Sequence, residues 1–198
     1  MNFRERKEYY QNFDLPTFLM NPKVADFVGK DFGRFQEIWI NDYKKTGHNV
    51  ARMGLRYHWT WLGFILGPVV WYSHRKMYLM ALGIIGIYML VTFFEEYFNL
   101  GLGSVSFAAT NIILALMAKS TYLQHIIDFF HRNREISGQQ LDDLIASNGG
   151  TSKIAAFLFF AFSIMAIILA SITGDIVAGH EISFLTSDQT TSIVTQRQ

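Results

Sequence analysis

Few residues in this chain have the types that chemistry needs. His125, Asp128 and His131, with Arg132 and Arg134 beside them, come nearest to a metal-ligand set. His125 and Asp128 stand one helical turn apart and share a face, while His131 points elsewhere. A helical zinc site uses ligands at i and i+4, or three that converge, so this spacing reads as a solvated helix extension. Glu95-Glu96 are carboxylates at the end of an apolar run, where a cation or a proton path would want them. Adjacent residues on a helix point about 100° apart, so they form no ready acid–base pair and read as an ordinary helix end. His180-Glu181 has the same weak status. Asn111 and Lys119 share a helical face, with Ser120 and Thr121 adding hydroxyls. An interhelical hydrogen bond for Asn111 and snorkelling for Lys119 explain them without a conduit.

Arg75-Lys76, flanked by Tyr72, His74 and Tyr78, is the strongest candidate. Two cations among aromatic rings at headgroup depth can hold a lipid phosphate or a partner's carboxylate. The plainer reading is positive-inside anchoring beside an aromatic belt. The candidate contact residues are therefore Arg75, Lys76, Tyr72 and Tyr78, with Trp59 and Trp61 upstream, and Gly67 and Pro68 as structural positions. The chain carries no Gly-rich phosphate loop, no G-x-S-x-G and no H-E-x-x-H. With no cysteine, disulfides, thiolate catalysis and Cys-ligated metals are excluded. No catalytic residue, cofactor or metal is expected, and the reading is that the protein is not an enzyme.

The elements that position these residues follow from composition. Of 198 residues 51 % are apolar and only 17 % charged, against about 25 % charged in a soluble domain. The charges leave long stretches empty. The chain reads as an integral membrane protein with polar segments attached, and a net charge of +1 argues against nucleic-acid binding. The first residues, MNFRERKEYYQNF, contain no apolar core of a signal peptide.

Residues 1–58 form a cytoplasmic N-terminal region. Pro16 interrupts its start, and Asn21-Pro22 has the pattern of a helix N-terminus. From there Val24, Val28, Phe32, Phe35, Trp39 and Tyr43 recur at helical spacing, an amphipathic helix that Gly47 ends. It lies in the headgroup plane or packs on its own domain; the residues leave both open.

Residues 59–76 hold two tryptophans, an apolar run broken at Gly67-Pro68, Trp71 and the basic pair. As a helix Trp59–Tyr72 is about 21 Å long, short of a hydrocarbon core of about 30 Å. Residues 77–173 form the membrane domain, with spans over 77–94, 105–123 and 154–173. A short polar helix carrying Leu141, Leu144 and Ile145 sits between the last two, closed by Asn148-Gly149-Gly150. Residues 174–198 form a polar tail. If the stretch 59–76 dips in and returns, 16 of the 17 Lys and Arg fall on one side, and full crossing would divide them. The positive-inside rule therefore selects a re-entrant element, three transmembrane helices, a cytoplasmic N-terminus and an external C-terminus in an all-α membrane fold.

Phe27-Val28-Gly29-Lys30, Trp59-Thr60-Trp61, Gly67-Pro68, Trp71 and Arg75-Lys76-Met77-Tyr78 together resemble an uncharacterised bacterial membrane family, domain of unknown function 2628. Tyr122-Leu123 with His125, and Gly149-Gly150-Thr151-Ser152, look like further family positions, so the resemblance spans residues 27–155. Ser73-His74 depart from it, standing where the family has an aromatic or aliphatic residue and Tyr. The resemblance implies a bacterial inner-membrane location and supplies no activity.

These readings converge on a non-catalytic inner-membrane protein, an accessory or scaffolding subunit whose partners are membrane lipids and other membrane proteins or its own copies. The alternative is a small oligomeric transporter, channel or lipid-handling protein, with Gly63, Gly67 or Asn111 lining its axis.

Overall fold

A computed structural model describes residues 3–55, 61–65, 67–101 and 103–177. All regular structure among them is helical. The chain begins with two short helices, α1 (Phe3–Gln11) and α2 (Leu15–Leu19). Pro16 sits in the first turn of α2, where its missing N–H costs nothing, and Asp14 caps it by accepting from Thr17 N at 3.3 Å.

The expected amphipathic helix from Val24 to Tyr43 is two helices, α3 (Pro22–Val28) and α4 (Phe32–Lys45). Asn21 caps the first by accepting from Lys23 N at 3.0 Å. Gly29 ends it at φ 78°, ψ −151°, a conformation essentially confined to glycine, and a 3-10 turn over Gly29–Asp31 redirects the chain. The periodicity is still used: Val24, Val28, Phe35, Trp39 and Tyr43 are all buried. That face is covered by the protein itself, so α3 and α4 pack on their own domain rather than lying aromatic-face-down on lipid.

The aromatic stretch is likewise two pieces. After a 3-10 segment, Val50–Leu55, come α5 (Trp61–Ile65) and α6 (Pro68–His74). Gly67, at φ 84° and ψ 151°, separates them, and Pro68 opens α6 instead of breaking a longer helix. Each residue of α6 from Pro68 to Ser73 is buried, against α7 (Tyr78–Phe98), α8 (Gly103–Arg132) and α10 (Lys153–Val177). The small helix α9 (Gln139–Asn148) lies between α8 and α10, and Ser152 caps α10 by accepting from Ala155 N at 3.1 Å.

Among the described residues two helices are long and apolar enough to cross a membrane, Tyr78–Phe98 and Lys153–Gly174. The third expected span, Val105–Leu123, does not stand apart as one. It is part of α8, a single helix of 30 residues. Its boundary with the polar segment vanishes because Ala118, Tyr122, Leu123, Ile126 and Ile127 form one continuous buried row. That row is the core on which α3, α4 and α6 close. Each large side chain so buried is worth roughly 1.5–3 kcal/mol. The N-terminal half of α8, by contrast, leaves Val105, Ile112 and Ile113 exposed.

α7 and α10 run in the same direction. Tyr78 stacks on Phe159 near their starts, with ring centroids 5.6 Å apart, and Ser171 bonds to Glu96 at 3.2 Å near their ends. α8 runs against α7, joined by Tyr88 donating to Asn111 Oδ1 at 2.5 Å and by Ser106 bonding to Glu95. The polar helices thus gather at one end, where α7 and α10 begin and α8 finishes.

Candidate functional site

Arg75 is where the separate sequence blocks meet. α6 ends in a Schellman turn: Lys76 N donates to Ser73 O at 3.0 Å and Met77 N to Tyr72 O at 2.9 Å. The turn needs a left-handed residue, ordinarily glycine, yet Lys76 occupies it at φ 59°. That conformation costs a side-chain-bearing residue about 1–2 kcal/mol. It also sends Arg75 and Lys76 to different neighbours.

Arg75 turns inward and is 7 % exposed. Its Nη2 donates to Asp31 Oδ2 at 2.6 Å and its Nη1 to the Val28 carbonyl at 3.5 Å. The guanidinium carbon lies 4.8 Å from the Phe35 ring centroid and 5.3 Å from that of Tyr122, so two aromatic faces replace the water it has lost. Gly29 makes this possible, because the turn it opens presents Asp31 to the end of α6.

Lys76 reaches the other way. Its Nζ donates to the carbonyls of Ala146 at 3.2 Å and Ser147 at 2.9 Å, at the negative end of the α9 dipole. The glycines after α9 complete the clasp. Gly150 N donates to Phe27 O at 2.7 Å, and Ser152 N to His74 O at 2.8 Å. A Cβ on Gly149 would lie 2.7 Å from Phe27 O and 2.9 Å from Phe27 Cα, closer than carbon and backbone approach. Thus Phe27-Val28-Gly29-Lys30, Arg75-Lys76-Met77-Tyr78, Tyr122 and Gly149-Gly150-Thr151-Ser152 form one knot.

Beside the knot lies an open groove of about 560 Å³, its walls shared by α1, the start of α7 and the end of α8. Arg6, Lys76, His125, Asp128 and Arg132 supply its polar side, and Tyr78, Leu79 and Met80 its apolar side. Asp128 is occupied: Arg6 donates to its Oδ2 at 2.5 Å and Tyr10 to its Oδ1 at 2.7 Å. Burial, reinforced by Asp128, raises the Tyr10 phenol far above its usual value and keeps it a donor. Burial lowers the His125 imidazole, Asp128 opposing and Arg132 reinforcing, so His125 is neutral at pH 7. His131 packs its ring against Tyr9, the two centroids 4.6 Å apart and the planes tilted by 54°. No three His, Asp or Glu side chains gather as metal ligands among the described residues.

The expected contact residues are therefore divided. Lys76 and Tyr78 line the groove. Tyr72 is fully buried, and Arg75 faces Asp31, so neither presents a surface to lipid or partner. Trp59 lies outside the described residues, and Trp61 opens α5. Asp31, Arg6 and Tyr10 were not foreseeable as partners of Arg75 and Asp128. The only signal was local: Arg6 and Tyr10 stand at i and i+4 on α1, one face of a helix.

Residues 25–127 match the family described as protein of unknown function (DUF2628). No curated protein and no solved structure matches the chain.

Proposed function

The chain belongs to that family, and from this premise we propose that it is a non-catalytic inner-membrane protein, an accessory or scaffolding subunit of a larger membrane assembly. The observation that carries the reading is the separation of its surfaces. Along α7, Leu79, Leu82, Ile87, Leu90 and Phe94 are exposed, and along α10 so are Ile154, Phe157, Leu158, Met165 and Leu169. Apolar faces of this extent call for a bilayer or a partner, while the polar helices gather at one end. α7 and α10 point the same way, so if both cross the membrane the chain must return between them. The N-terminal half of α8 is the only described stretch placed to do so, which favours three crossings.

The same geometry favours a re-entrant element. Before α5 the chain lies beside α8 at Met53, whose carbonyl accepts from Ser120 Oγ at 2.9 Å. Within α6 it is back at that depth, Trp71 facing Tyr122 with centroids 6.0 Å apart. The N-terminal region is then cytoplasmic and the chain after α10 external, as the charge distribution requires.

A conduit through one copy finds less support, because Asn111 is buried and bonded to Tyr88. The test is affinity purification of the full chain from gently solubilised bacterial membranes. A stoichiometric co-purifying membrane protein is the expected result, and a lone monomer counts against a subunit role.

A further inference from the structure

We infer that the groove between α1, α7 and α8 is a binding site for one anionic phospholipid, its phosphate on the cations and its acyl chain along the start of α7. This rests on the membrane reading above. Arg6 and Asp128 cancel within the groove, leaving Lys76 and Arg132 as its excess charge. Arg132 makes no ion pair or hydrogen bond within the described chain, so its donors are available. Lys76 spends two of its three donors on the α9 carbonyls, which fixes its ammonium at the rim and leaves one.

The opposite wall decides what kind of anion fits. Tyr78 presents a phenol at the rim, and below it Leu79 is 84 % exposed and Met80 41 % exposed. They begin the apolar face that continues down α7 through Leu82 and Leu90. A phosphopeptide or free phosphate would use the cations and leave that wall bare. A phospholipid uses both at once, and the groove opens where a headgroup would lie if α7 spans. The positive φ of Lys76 is strain at this rim, and it places the ammonium between α9 and the groove.

The experiment uses the full chain, purified in neutral detergent and titrated with phosphatidylglycerol, phosphatidylcholine or inorganic phosphate, with bound lipid read by native mass spectrometry. The wild type is expected to retain one phosphatidylglycerol at least about fivefold more tightly than phosphatidylcholine, the increment one interfacial cation supplies. Arg132→Gln should remove most of that preference while leaving the fold intact, because Arg132 is exposed and forms no ion pair or hydrogen bond among the described residues. Arg134→Gln, outside the groove and beside Glu135 at 4.0 Å, should leave it unchanged. Leu79→Gln should weaken both lipids while keeping their ratio. Equal retention of the two lipids overturns the proposal, as does an equal effect of R132Q and R134Q. Displacement of the lipid by millimolar phosphate overturns the choice of a lipid as occupant. Recovery of the wild type in the soluble fraction of lysed cells overturns the membrane reading itself. A membrane-bound protein with no lipid preference overturns only the groove.

Discussion

At the scale of single residues, the fold depends on a few positions where side chain and backbone have no alternative. Arg75 is one. Its charge is buried and answered by Asp31, which is itself 39 % exposed. Removing the acid strands a buried guanidinium, whereas removing the base leaves an acid that water can reach. Asp31→Ala is therefore expected to destabilise by about 3 kcal/mol, and Arg75→Met by less, read from thermal unfolding in detergent. The reverse order would mean that the two rings, not the carboxylate, hold Arg75. Gly67 is another such position. At φ 84° and ψ 151° a side chain is strained, so Gly67→Ala should cost roughly 1–3 kcal/mol although nothing stands within 4 Å of its Cβ position.

Two histidines make the same domain sensitive to acid. Burial lowers His125, and it lowers His74 too, with Arg75 adding to the effect and Asp31 opposing it. Both are neutral when folded, but in the unfolded chain each takes a proton near pH 6.5. Stability is thus present above about pH 6.5 and lost as pH falls from there toward the folded values. The melting temperature should drop across that window, and His125→Gln should flatten part of the drop. A melting temperature indifferent to acid would contradict the neutral, buried imidazoles.

At the scale of elements, helix identity follows from local rules and helix ends from glycine. Pro16, Pro22 and Pro68 each stand in a first turn, and Gly29 and Gly67 each close a segment that apolar spacing alone would have continued. The 3.6-residue period persists across Gly29 because both α3 and α4 face the same row of α8. Period therefore locates a buried face without locating a break in the helix. Between α7 and α8 the contact is polar. Replacing Asn111 by Leu removes the bond to Tyr88 and should loosen the pair by about 1 kcal/mol. A double-mutant cycle with Tyr88→Phe should recover a coupling of the same size, and zero coupling would show that the two rows meet through packing alone.

At the scale of the whole molecule, the parallel run of α7 and α10 ties topology to geometry. The loop after α7 and the end of α9 lie at opposite ends of the molecule. Because the natural chain has no cysteine, single cysteines report sidedness directly. Leu100→Cys and Ser147→Cys, both at exposed positions, are expected to react with an impermeant maleimide from opposite faces of the membrane. Labelling of both from one face would end the three-crossing topology.

Apolar length, caps and turn signals act within a few residues, so the helical class, α9, α10 and the helix start at Asn21 were legible in the chain alone. Charge and turn signals singled out Arg75 and Gly149, while the block around Gly29 came from the family resemblance alone, because apolar spacing ran one helix across it. What they could not contain was the pairing. Arg75 and Asp31 are 44 residues apart, and Arg6 and Asp128 are 122 apart. Such partners are chosen by how helices pack, not by spacing along the chain. Tertiary structure alone decided that Arg75 points inward while Lys76 points to α9. It also decided that α8 is one helix, half core of the polar end and half companion to α7. The physical reason is burial: a row of side chains covered by three other helices has no local signature distinct from one covered by lipid.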